Sequence, residues 1–137
     1  MEGSCLCGAV GVKAPGHGEV GLCHCTTCRR WGGPMFAVHV GKEVQFSGAP
    51  TVYPSSDWAE RGFCAVCGTH LFYHLLPTGE YILSAGLFQD QAFKLTNEIF
   101  IDQKPGFYEF KNQTRKLTGQ QVFEQFESGA GDTREQS

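Results

Sequence analysis

A chain of 137 residues with 18% charged side chains and a formal net charge of −3 has the size of one domain and carries no basic stripe. That balance speaks against a nucleic-acid footprint, and no apolar run approaches the roughly 18 residues that a membrane-spanning helix needs. Eighteen glycines and eleven phenylalanines, with little clustering of helix formers, point instead to β-structure rich in turns.

Read in chain order, the start at Met1-Glu2-Gly3-Ser4 has neither the basic nor the apolar region of a secretory signal, so a cytoplasmic protein with reduced thiols is expected. Cys5-Leu-Cys7 follows, and on an extended strand two such side chains share a face. Short alternating segments at 9–13, 35–40, 44–47, 51–53, 70–75, 81–85 and 99–101 read as strands. Pro15-Gly16, Gly48-Ala49-Pro50 and Pro77-Thr78-Gly79 punctuate them as turns. Residues 26–31 are expected to form one helical turn. Thr118-Gly-Gln-Gln121 has the pattern of a capping box, opening a helix to about Glu127 with Val122, Phe123 and Phe126 as its apolar face. Together these segments predict a mainly β, antiparallel domain over 1–127 with a short C-terminal helix and a flexible tail at 128–137.

The seven cysteines fall in three tight groups: Cys5 and Cys7, then Cys23, Cys25 and Cys28, then Cys64 and Cys67. An odd number of grouped thiols in a reducing compartment speaks against a disulfide scaffold. Cys64-Ala-Val-Cys67-Gly68 has the form of a knuckle whose turn aims both sulfurs inward. Paired with Cys5 and Cys7 it closes a four-thiolate site, the usual make-up of structural zinc. A redox pair of thioredoxin type is the competing reading, but such a pair opens a helix in a βαβ unit, which this context lacks.

Cys23, Cys25 and Cys28 are then left as a three-thiolate zinc site. Either its fourth position is open, to take and deprotonate an incoming thiol, or a distant residue or water fills it idly. His24 lies between two ligands but should point the opposite way on a strand. Arg29 and Arg30 suit carboxylates of a thiol compound, or form a solvated pair. Trp31 and Phe36 suit a pocket wall, or the core.

The series Gly3-Ser-Cys-Leu-Cys-Gly-Ala-Val10, Cys23-His-Cys-Thr-Thr-Cys-Arg29 and Arg61-Gly-Phe-Cys-Ala-Val-Cys-Gly-Thr69 resembles the family of glutathione-dependent formaldehyde-activating enzymes, which includes the centromere protein V type. The resemblance covers about residues 3–110. It implies a zinc-stapled fold of the β-tent type, with structural zinc on Cys5, Cys7, Cys64 and Cys67 and catalytic zinc on Cys23, Cys25 and Cys28. It also implies a carbon–sulfur lyase that joins formaldehyde to glutathione as S-hydroxymethylglutathione. Two positions depart from the family pattern: Glu98 stands where a His is expected, and no Trp occurs near Phe107-Tyr108. The competing functional reading is a non-catalytic zinc module that binds a protein or a small thiol.

Overall fold

Glycine, proline and polar turns interrupt the chain every few residues, and the strands between them are correspondingly short. The structure is a computed structural model that describes residues 1–32 and 36–128. The strands are β1 (Glu2–Ser4), β2 (Gly11–Lys13), β3 (Glu19–Cys23), β4 (Phe36–Gly41), β5 (Gln45–Ser47) and β6 (Thr51–Pro54). They continue with β7 (Ala59–Phe63), β8 (His70–Leu75), β9 (Glu80–Ser84), β10 (Lys94–Ile99) and β11 (Arg115–Leu117). Helix α1 (Thr26–Gly32) follows β3, and α2 (Gly119–Ser128) closes the described chain.

Two sheets result. The smaller has the order β1-β2-β5 and the larger β11-β10-β3-β4-β9-β8-β7-β6. The fold is mainly β as expected, but the large sheet is mixed rather than antiparallel. β10 runs parallel to both β3 and β11. Parallel neighbours need a long connection, and the hairpins β4 to β9 supply it between β3 and β10.

The principal core lies where the small sheet packs on the large one. Val10 and Val12 meet Val38, Leu71, Phe72 and Leu83, all buried. Full burial of each such side chain contributes about 1.5–3 kcal/mol. A second, smaller core gathers Ile99 of β10 and Val122 of α2 around Cys23 and Cys28.

Several strand expectations need correction. Cys5 and Cys7 sit in a turn after β1, not on a strand. The segment at 99–101 is not extended: β10 ends at Ile99, Phe100 takes a left-handed conformation (φ 53°), and Ile101–Gln103 form a 3-10 turn. Met35 and the tail beyond Ser128 lie outside the described residues.

The capping box at α2 forms as read. The Thr118 amide donates to Gln121 Oε1 at 2.7 Å, and the Gln121 amide donates to Thr118 Oγ1 at 3.2 Å. Of the three apolar residues on this helix only Val122 is buried, while Phe123 stays exposed and meets Phe100 edge-on at 6.0 Å. Thr118→Ala should therefore cost about 1 kcal/mol. The readout is a lower urea midpoint at unchanged slope, and an unmoved midpoint would show that α2 adds nothing to the cooperative unit.

Candidate metal centres

Two similar turns bring four sulfurs together. In the first, the Gly8 amide donates to Cys5 O at 3.2 Å and the Cys5 amide to Val10 O at 3.0 Å. In the second, the Gly68 amide donates to Cys64 O at 2.8 Å and the Cys64 amide to Thr69 O at 2.9 Å. Gly8 and Gly68 close these turns at φ 83° and 78°, a conformation costly for any residue with a Cβ. Thr69 joins the turns: its hydroxyl accepts the Leu6 amide at 3.1 Å and lies 3.1 Å from Cys67 Sγ.

The ligand atoms of Cys5, Cys7, Cys64 and Cys67 all lie within 4.8 Å of one another. Cys5 and Cys7 sulfurs are 3.7 Å apart, and Cys7 and Cys64 sulfurs 3.8 Å. A disulfide would need about 2.05 Å, whereas a tetrahedron with bonds of about 2.3 Å to zinc has edges of about 3.8 Å. The spacing fits a four-thiolate metal site. Hydrogen bonds prepare the thiolates: the hydroxyl and amide of Thr69, with the Cys7 amide, hold Cys67 down at about 5. The Val10 amide, 3.3 Å from Cys5 Sγ, lowers Cys5. For Cys7 the Ala9 amide pulls downward, but burial and the other three thiols push it up to about 11.

The second cluster sits at the end of β3. Cys23 is the last residue of that strand, and Cys25 caps α1, its Sγ accepting the Cys28 amide at 3.4 Å and its carbonyl the Arg29 amide at 3.0 Å. Cys28 then lies within the first helical turn. The three sulfurs lie within 4.8 Å of one another, with Cys23 and Cys28 buried and Cys25 half-buried. Hydrogen bonds from the Cys23 and Cys28 thiols lower Cys25 to about 2, while the bonds Cys23 makes with Cys25 and Cys28, with burial, push Cys23 well up. Three converging sulfurs are a donor set for a soft or borderline metal with one position to spare.

His24 does not join this cluster. Its amide donates to Ile99 O at 3.0 Å, so the β3–β10 pairing runs one residue past Cys23 and turns the imidazole away from the sulfurs. The ring is fully buried, with Nε2 at 2.8 Å from Glu98 Oε1 and Nδ1 at 2.6 Å from the Tyr108 hydroxyl. Glu98 also accepts from Thr114 Oγ1, and Lys116 Nζ stands 3.8 Å from it. Glu98, where the resemblance led to the expectation of a His, thus anchors the residue between two cysteines of the cluster.

Arg29 donates from Nε to the His24 carbonyl at 2.9 Å and so braces the turn, while Arg30 is exposed. Trp31 is half-buried in an aromatic group, stacked at 4.5 Å on His70 and 6.1 Å on Tyr53. Phe36 is exposed, edge-on to Phe110 at 5.8 Å. The residue not singled out by the sequence reading is Arg61 of β7. It is 3% exposed, and its Nη2 lies 3.5 Å from Cys28 Sγ. The available signal was a charged pair, Glu60-Arg61, set between Ala59 and Gly62-Phe63 ahead of a cysteine pair.

Burial pushes the Glu98 carboxyl up, but the bonds from Thr114 and His24 outweigh it and hold the group below its usual range. A carboxyl depressed in the folded state stabilises above its unfolded pKa, and that contribution is lost as pH falls through the folded value. Glu98→Gln should therefore destabilise at neutral pH and flatten the fall in stability between about pH 5 and 3. Parallel stability-versus-pH curves for wild type and variant, from denaturant titrations, would rule out this anchor.

Comparison with known proteins agrees with this geometry. The family description "Glutathione-dependent formaldehyde-activating enzyme" matches residues 1–103. A Schizosaccharomyces pombe protein named as an uncharacterized lyase is 35% identical over 127 residues, covering 88% of this chain and 93% of its own. A crystal structure of a Rhodobacter sphaeroides protein superposes with a TM-score of 0.54 at 26% identity, covering 66% of this chain and 89% of that one. The two turn-borne and helix-borne sulfur clusters lie in a chain that belongs to the family of glutathione-dependent formaldehyde-activating enzymes.

Proposed function

We propose that this protein is a zinc-dependent carbon–sulfur lyase acting on a thiol adduct, with glutathione as the thiol and formaldehyde as the aldehyde. The family and the lyase-named relative support the reading. The observation that carries it is the division of seven sulfurs into four and three. Cys5, Cys7, Cys64 and Cys67 complete a tetrahedron and would hold a structural zinc. Cys23, Cys25 and Cys28 would hold a catalytic zinc and leave a place for substrate.

When bound there, zinc supplies the positive charge that lets an incoming thiol lose its proton near neutral pH. The reaction forms a bond between the thiol sulfur and the formaldehyde carbon, and the carbonyl oxygen takes up a proton in place of the one the thiol released. The reverse splits the same bond, and neither direction needs an oxidant. Buried Cys23 and Cys28 close the inner side of the site, and half-buried Cys25 marks the side open to a thiol. Arg29 stands beside it as a partner for a substrate carboxylate, by a charge-assisted bond, and Trp31 as an apolar wall. Seven free cysteines support a reducing, cytoplasmic setting. The reading calls for no nucleic-acid or membrane partner.

Protein made without chelator should carry about two zinc ions per chain, one for each cluster. Cys64→Ser should lose one of them and unfold at markedly lower temperature, because structural zinc binding is coupled to folding. Unchanged zinc content and melting temperature in that variant would remove the four-sulfur assignment.

Cys28→Ser should keep its circular dichroism and lose formation of S-hydroxymethylglutathione from formaldehyde and glutathione. All three sulfurs come from residues 23–28, so losing a metal there releases no distant segment, and Ser is close enough in size to Cys to leave the small core around position 28 packed. Equal rates for wild type and variant would refute a catalytic second site. Absence of a rate in both would favour a zinc module that binds without turnover.

A further inference from the structure

A guanidinium is seldom fully buried unless something compensates its charge. Arg61 is 3% exposed, and among the described residues no carboxylate lies within ion-pair distance of it. Its contacts are few. Nε donates to Ser55 Oγ at 3.3 Å, and Nη2 lies 3.5 Å from Cys28 Sγ. The guanidinium carbon sits over Tyr73 at 5.0 Å and over Trp31 at 5.9 Å. Ring faces and a neutral hydroxyl ease the burial of a cation without cancelling it. Burial pushes the Tyr73 phenol up to about 12, so that ring stays uncharged. Of the atoms Arg61 touches, the Cys28 sulfur alone can carry a full negative charge.

We propose that Arg61 is the buried counter-charge of the three-cysteine cluster and makes its open position select an anionic ligand, a thiolate, over a neutral one. The proposal rests on the reading of that cluster as a metal site. Three thiolates around a doubly charged ion already leave an excess of negative charge, and a fourth thiolate doubles it. A neutral ligand adds none. In a largely buried setting the fourth thiolate's repulsion is severe, and a fixed cation within hydrogen-bond reach of one sulfur offsets it. Arg61 is on this account a positioning residue for charge rather than a group that meets the substrate. Ser55 is its anchor, and the rings of Trp31 and Tyr73 shield the guanidinium from water.

The test replaces zinc by cobalt(II), whose absorption reports tetrahedral thiolate ligation, and titrates the loaded protein with 2-mercaptoethanol and, separately, with imidazole. A spectral change on adding either ligand isolates the open site from the closed one. Arg61→Met should bind 2-mercaptoethanol about tenfold more weakly, the loss expected for one charge-assisted contact, with imidazole affinity nearly unchanged. Arg61→Lys should recover most of the difference. Ser55→Ala keeps the cation but frees it, and should lower the thiol-to-imidazole preference in the same direction by less. That variant decides the matter should Arg61→Met fail to fold. A preference unmoved in Arg61→Met or in Ser55→Ala, with the cobalt spectrum intact, overturns the counter-charge alone. Wild-type protein that takes up cobalt at only one site overturns the metal-site reading and this proposal with it, and a two-site cobalt spectrum that ignores 2-mercaptoethanol overturns the open position on which the proposal depends.

Discussion

The convergence of two distant turns on one tetrahedron of sulfurs is the constraint on which the rest of the molecule depends. Cys7 and Cys64 are 57 residues apart in sequence and 3.8 Å apart in space. Their meeting fixes the small β1-β2-β5 sheet against the turn between β7 and β8, and it closes the core that Val10 and Val12 share with Leu71 and Phe72. A chain of this length with strands of three to six residues has little ladder to hold each one. A metal held by all four sulfurs would add its binding free energy to such a fold, more than any single strand pairing does.

The two clusters differ in setting as well as in number. The four-sulfur group lies on tight glycine turns, its electrostatics governed by backbone amides and the Thr69 hydroxyl, and Cys7 is exposed. The three-sulfur group lies inside a packed corner formed by β3, β10, α1 and α2. Ionisable side chains lie close to it, with Arg61 at Cys28 and the buried His24–Glu98 pair on the residue between Cys23 and Cys25. Buried ionisable groups are costly, and they gather where charge has to be managed.

Much of this was legible in the residues. Cysteine spacing divided the seven thiols correctly, because ligand geometry is local and rigid. The capping box placed α2 because both of its hydrogen bonds run between neighbours four positions wide. Strand reading did worse where buried positions are polar. In β10 Asn97 and Glu98 are buried beside Ile99, and in β7 Arg61 is buried beside Gly62. Apolar alternation is invisible in both, so neither was read as a strand of this extent. The parallel pairing of β10 was also out of reach, since the period of a strand carries no information about its neighbour's direction.

β7 shows why those same illegible residues matter. Alternation puts Arg61 and Phe63 on one face, and both meet Trp31 of α1, Arg61 over its ring at 5.9 Å and Phe63 edge-on at 6.0 Å. Gly62, between them, faces Phe72, whose ring would clash with any Cβ at that position. Cys64 follows at once in the four-sulfur tetrahedron. One strand and the residue after it therefore deliver a cation to the first helix's cysteine and a thiol to the four-sulfur cluster, three residues apart. A slip of one residue in the β7–β8 register would turn Arg61 toward the core and drive a ring into the backbone where Gly62 now lies. The register that completes one sulfur cluster thereby aims the charge at the other, so the geometry of the four-sulfur group also sets the electrostatics of the three-sulfur one.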